Sequence, residues 1–258
     1  MMPDFSYDNS NASSVNFELA RYFDQLFPKQ DSLSISVPMM PGELELLSKF
    51  LPREIPASGV LYKGSGTLQA AIDNFSSFLC KDTAKELIFN DKTDRFYLAK
   101  HIDTVELQRR GAFVPLQLKF ICKNPLGYAV TPTTVTKSGV VTDNYTWTIV
   151  NAGQYYAWPV ITITFHQAQS HIYIKNTSIT NCRFDVSKSF LNNDVLVVDS
   201  WYMTINLNGS YSPAGFGDGG DSYAGMILIQ KGNNTFQVGT DDASINVDVS
   251  VTYRKTYL

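Results

Sequence analysis

Ile245-Asn246-Val247-Asp248-Val249-Ser250-Val251-Thr252-Tyr253 alternates without a break, with β-branched aliphatics on one side and polar residues on the other. Successive side chains of a strand point to opposite faces, so this period of two marks a strand with one face buried and one wet. A chain that ends this way invites a search for partner strands. Working backwards, short runs of the same kind occur at residues 235–239, 226–230, 202–207, 195–199, 182–186, 171–175, 159–166 and 145–151. Turn-forming groups separate them, among them Asn208-Gly209, Asn192-Asn193-Asp194, Asp241-Asp242 and Lys231-Gly232-Asn233-Asn234. Many short strands broken at this spacing predict a β-sandwich or jelly roll.

The charge pattern divides the chain. Residues 1–135 hold 14 of the 21 Lys and Arg and 15 of the 24 Asp and Glu, whereas the nine acids of residues 136–258 include no glutamate. Aspartate bonds its own backbone and favours turns, where glutamate favours helix. The change falls in the Thr/Pro/Gly stretch from Ala129 to Gly139, read as a linker or connecting strand. We therefore expect domains at 1–131 and 132–258.

The first half carries one helical period. Leu68, Ala71, Ile72, Phe75 and Leu79 form a single apolar stripe, and Thr67 stands where an N-cap belongs. Strands are expected at 32–37, 55–63, 86–90, 95–102 and 114–122, with residues 39–49 as a loop or arm. Alternation in the last of these fails only at Ile121. The expectation for this half is an α+β domain with one helix on a sheet, and for the whole chain a mainly β protein.

Composition excludes several function classes. Net charge is -3, and a nucleic-acid binder needs a basic surplus to displace phosphate counterions. No apolar run reaches the length that crosses a bilayer, and residues 1–14 lack a signal-peptide pattern. Cys80, Cys122 and Cys182 form neither a metal knuckle nor a disulfide framework, which points to synthesis in a reducing compartment.

Candidate chemistry is present only in fragments. Gly215-Phe216-Gly217-Asp218-Gly219-Gly220 matches a dinucleotide fingerprint in letters, but a strand follows it where a helix is required. Asp218 and Asp221 supply too few oxygens for calcium. The segment Lys63-Gly64-Ser65-Gly66-Thr67 precedes the helix without Walker spacing and reads as a turn and cap. His166 and His171 would face each other across a hairpin, with no third metal ligand. His101 has no nucleophile motif near it. Asp185 and Asp199 are the only paired-carboxylate candidates, and turn formation accounts for aspartates near strand ends. The expected catalytic, cofactor and metal sites are none, and the chain is not expected to be an enzyme. Trp147, Tyr155, Tyr156, Trp158, Trp201, Tyr211 and Phe216 crowd the second half. At least half of them should be core, and any exposed rings would suit a sugar or a protein partner.

The order of the motifs resembles the distal tail protein family of siphophages that infect Gram-positive hosts. The likeness rests on Val37-Pro38-Met39-Met40-Pro41-Gly42, Arg53-Glu54-Ile55 and the helix. It continues through Leu87-Ile88-Phe89-Asn90-Asp91, Arg95-Phe96-Tyr97 and the run from Leu116 to Tyr128. In the second half it rests on Pro159–Thr164, Ile172–Asn176, Asp194–Asp199, Asn206–Gly209 and Lys231–Asn234, and on the ending Tyr257-Leu258. The first thirty residues match poorly.

The resemblance implies an N-terminal ring (belt) domain and a C-terminal galectin-like β-sandwich projecting outward. It implies a homohexamer that joins the tail tube protein to tail tip or baseplate proteins at the distal end of the virion tail, after synthesis in the host cytoplasm. A glycan-binding module for host cell-wall saccharide is the alternative. Neither nucleic acid nor membrane is an expected partner.

Overall fold

The computed structural model describes residues 4–25, 27–36, 43–103, 107–211 and 227–258. The Gly215–Gly220 motif, Asp218, Asp221, Phe216 and the segment Val37–Gly42 lie outside them. The protein is mainly β, with one α-helix among the described residues, in the N-terminal half. Two compact units divide it, residues 1–130 with Leu258 and residues 131–257.

Unit 1 begins with β1 (Phe5–Tyr7), β2 (Ser10–Asn11), a 3-10 turn at Ala12–Val15 and β3 (Phe17–Tyr22). Then come β4 (Gln30–Ser36), β5 (Glu43–Phe50), β6 (Arg53–Tyr62) and α1 (Leu68–Leu79). The unit finishes with β7 (Lys85–Phe89), β8 (Arg95–His101), β9 (Phe113–Cys122) and β10 (Gly127–Ala129). One antiparallel path runs β2-β1-β7-β8-β9-β6-β3, and β4 and β5 pair only with each other.

The helix forms where its stripe predicts. Thr67 Oγ1 accepts the Ala70 amide at 3.2 Å, which satisfies one of the open donors of the first turn. Ala71, Ile72, Phe75, Phe78 and Leu79 are buried in the unit's core, and Phe75 stacks on Phe17 at 4.7 Å. Gly64 makes the preceding turn possible. Its φ is +57°, and a Cβ there would meet the Asn16 side chain at 2.7 Å. Strand β9 buries Val114, Leu116, Leu118, Phe120 and Cys122, while Ile121 lies on the outer face.

Unit 2 contains β11 (Thr133–Val140), β12 (Tyr145–Asn151), β13 (Val160–Phe165), β14 (Gln169–Asn176) and β15 (Arg183–Phe190). It continues with β16 (Val195–Asp199), β17 (Thr204–Leu207), β18 (Ser210–Tyr211), β19 (Gly232–Gly239) and β20 (Val247–Tyr253). The strands form a six-stranded sheet, β11-β20-β13-β16-β17-β18, and a four-stranded sheet, β12-β19-β14-β15. Both sheets feed one apolar core that includes Ile161, Phe165, Phe184, Phe236, Val249 and Val251. Asn208 (φ 52°) and Gly209 (φ 78°) give the β17–β18 turn two left-handed residues, the requirement of a type I′ hairpin.

Three expectations need correcting. Of the loop or arm expected at 39–49, the loop gives way to strand from Glu43 on, where Leu47 pairs directly with Leu33. The expected strand at 226–230 has no ladder over its described residues. Ile227 and Ile229 are fully buried, and one bridge joins Ala157 to Ile229. Finally, of the six described aromatics named above, only Trp147 is buried. The other five lie in loops, a turn or a short edge strand, outside the inward register of the sheets.

Candidate functional site

The β4–β5 hairpin is an arm whose apolar residues face water. Its register runs from Gln30↔Phe50 to Ser36↔Glu43. Leu33 is 60% exposed and its cross-strand partner Leu47 is 58% exposed, with Ile35 close behind at 48%. A two-stranded ribbon has no core of its own to bury such residues. Phe27 and Phe50 close the base edge-to-face at 5.5 Å, and the Leu51 amide donates to the Lys29 carbonyl at 2.7 Å.

The chain enters this arm through a buried charge cluster. Arg53 is fully buried, and its Nη1 donates to Asp24 Oδ1 at 2.9 Å and to the Tyr97 hydroxyl at 3.3 Å. The Tyr97 hydroxyl donates to Asp24 Oδ2 at 3.1 Å, and Lys92 Nζ reaches the same oxygen at 2.5 Å. Burial, followed by the Asp24 charge, pushes the Tyr97 phenol up to about 12. Two residues back along the chain, Tyr22 stacks on Phe89 at 3.7 Å and donates to Asp91. Burial first and the Asp91 carboxylate second raise its ionisation above the ordinary tyrosine range. Arg53, Tyr97 and Asp91 all belong to motifs singled out in the sequence. Asp24 does not, and no local pattern marks it.

In unit 2 the motif residues Asn176 and Asn234 meet. Asn176 Nδ2 donates to Asn234 Oδ1 at 2.8 Å, and both residues are at most 1% exposed. Asn176 also donates to the Leu228 carbonyl, and Asn234 donates to the Gln230 and Gly232 carbonyls. Asn151, equally buried, donates to the carbonyls of Tyr155 and Ile229. Three side-chain amides therefore bond the carbonyls of Leu228, Ile229, Gln230 and Gly232 and the amide of Gln230, beside the backbone bridge from Ala157 to Ile229.

The candidate chemistry separates in space. His166 and His171 do not face each other across a hairpin, because β13 and β14 belong to different sheets. His166 Nε2 lies 3.1 Å from Asp248, and His171 pairs with Asp185 and Asp241. Asp199 accepts the amides of Trp201 and Tyr202 and so forms a turn. Asp185 sits inside β15 on the other sheet, paired with His171 and Arg183. His101 packs edge-on to Phe120 at 5.9 Å, and burial lowers its pKa, countered in part by Asp103. The described residues contain no cluster of three or more acidic, histidine or cysteine side chains placed to hold a metal.

The described residues thus form an α+β unit with an exposed apolar arm, followed by a second unit built of β-strands. Comparisons place the chain more closely. Residues 10–122 match the phage tail protein RIFT-related domain, and residues 152–257 match the siphovirus-type tail component, C-terminal domain. The chain belongs to the siphovirus distal tail protein family. The distal tail protein of Bacillus phage SPP1 is 26% identical over 163 residues, an alignment that spans 61% of each protein. The crystal structure of SPP1 Dit superposes over 100% of both chains with a TM-score of 0.78 at 16% identity.

Proposed function

We propose that the chain forms a hexameric hub at the distal end of a siphophage tail, joining the tail tube to tip or baseplate proteins. SPP1 Dit, whose fold this chain shares, is described as a hub of the adsorption apparatus in phages that infect Gram-positive bacteria. The observation that carries the reading is the arm. Leu33, Ile35 and Leu47 are exposed on a hairpin whose base is tied down by Arg53 and Asp24. An apolar ribbon held rigidly in water is suited to lie on a neighbouring copy. Repeating that head-to-tail contact around an axis closes a ring. Unit 1 supplies the ring in this reading, and unit 2 is a galectin-like sandwich. The protein performs no catalysis, and binds no metal or cofactor in this role. Light scattering of the purified protein tests it. A mass of six chains is expected. A persistent monomer at high concentration that also fails to form rings with its tail partners overturns it.

A second reading, host cell-wall glycan binding, has one observation in its favour. Gln154, Tyr155, Tyr156, Gln230 and Lys231 line a shallow cleft of about 220 Å³, with the two tyrosine rings perpendicular at 5.1 Å. Aromatic rings beside amide side chains suit a saccharide. Retention of the protein on cell-wall polysaccharide, lost in Tyr156→Ala, supports it. Retention unchanged in that variant counts against this cleft.

A further inference from the structure

We infer that the β14–β15 end of unit 2 is an oxyanion site, built to take a phosphate or carboxylate group. Lys175 and Arg183 are direct cross-strand partners. Like charges in that position repel and destabilise a sheet unless something neutralises them. Arg183 has a partial answer, since its Nη2 lies 2.5 Å from Asp185 Oδ2. That carboxylate is shared with His171. Lys175 has no carboxylate partner among the described residues.

Covering Tyr173 does not account for both cations. Arg183 lies over the ring at 4.6 Å from its centroid, and Lys175 Nζ stands at 5.4 Å. One cation suffices to cover a phenol ring, and the second adds repulsion. Moreover, Arg183 Nε is buried without a hydrogen-bond partner among the described residues. A guanidinium N–H shut away and unused costs stability in the empty protein.

The two residues border a cavity of about 300 Å³ whose other walls include Asn181, Ile179 and Cys182, and no carboxylate lines it. An anion seated there would meet the edge of the Arg183 guanidinium and neutralise Lys175. The repulsion between the paired cations is then met by one ligand. An arginine and a lysine on one rim form charge-assisted bonds to oxyanions, and a neutral sugar leaves the charges unanswered. The site does not depend on the ring reading, since it lies wholly within unit 2.

Isothermal titration calorimetry on the full chain tests it, with inorganic phosphate, glycerol 1-phosphate, glucuronate and glucose as probes at matched ionic strength. At least one anion is expected to bind saturably with one site per chain, and glucose is not. Binding of the phosphates alone assigns a phosphate ester, and binding of glucuronate alone assigns a uronate. Lys175→Gln should weaken binding about tenfold while its melting temperature stays at or above that of the parent, because a repulsion has been removed. No saturable heat with any anion, or undiminished affinity in Lys175→Gln, overturns the proposal. Light scattering on the same samples reports assembly separately, so failure of one reading is distinguishable from failure of the other.

Discussion

Arg53 Nη1 lies 2.9 Å from Asp24 Oδ1, with the arginine side chain shut entirely from water. The pair ties the segment that leads into the arm to strand β6. Its energetics follow from burial. Removing the carboxylate leaves an uncompensated charge inside the protein, whereas removing both groups does not. Asp24→Ala should therefore cost about 3–5 kcal/mol in urea unfolding, and Asp24→Leu combined with Arg53→Met should recover much of that loss. Equal destabilisation by the single and the double variant would refute this account.

The arm residues should separate assembly from folding. Leu33→Ser and Leu47→Ser remove exposed side chains, so each should change chain stability by less than about 0.5 kcal/mol. Light scattering should nevertheless show the mass falling from the ring toward a single chain. A ring that survives the double substitution would remove the arm from the interface.

Asn234 holds residues 230–232 through both ends of its amide, accepting from the Gln230 amide at 2.9 Å and donating to two carbonyls. Asn234→Ala leaves several buried groups without partners, and a loss of about 2–4 kcal/mol is expected. Amide exchange should rise first around residues 228–235 if the asparagine stands in for a strand. Uniform protection loss across unit 2 would speak against that role.

Acid should weaken the fold in two steps. Burial lowers the His101 pKa, so its folded value lies below the unfolded value of about 6.5. A group depressed in this way contributes stability that is complete above the unfolded value and is lost as pH falls through the folded one. Asp194 is held low by the Leu191 amide and Asn208, and Asp248 by the Gly139 amide and His166. Their contribution is complete above about pH 4 and disappears below it. Urea midpoints measured against pH should thus fall gently below pH 6.5 and again below pH 4. His101→Gln should flatten only the first step, and Asp248→Asn only the second.

The cysteines should differ in reactivity. Cys80 is exposed, whereas Cys122 and Cys182 are buried. Burial pushes the Cys122 thiol up to about 12, offset in part by Arg53. Since the thiolate is the reacting form, a disulfide reagent at pH 8 should titrate one thiol in the folded chain and three after unfolding. Fast reaction of a second thiol without unfolding would contradict this placement.

Much of the architecture was legible in residue order because the relevant forces act locally. The stripe from Leu68 to Leu79 marks a helix since side chains three and four apart share a face. Alternation over 247–253 marks a strand for the equivalent reason. The change from glutamate to aspartate reflects different backbone preferences, which any local window contains. Strands β1 to β3 were illegible since their burial depends on β6, β7 and α1, distant in the sequence.

The family likeness too was carried by residue order, since Arg53, Tyr97, Asn176 and Asn234 stand in recognisable company. Their work was not visible there. Asp24 answers Arg53 from 29 positions away, and Asn176 reaches Asn234 across 58. The chain alone determined a mainly β protein with one helix, because periodicity is a property of neighbours. Only the tertiary structure decided which polar residues are buried, which charges face each other and which leucines remain wet. Those depend on how strands far apart in sequence pair and on which face each pairing turns inward.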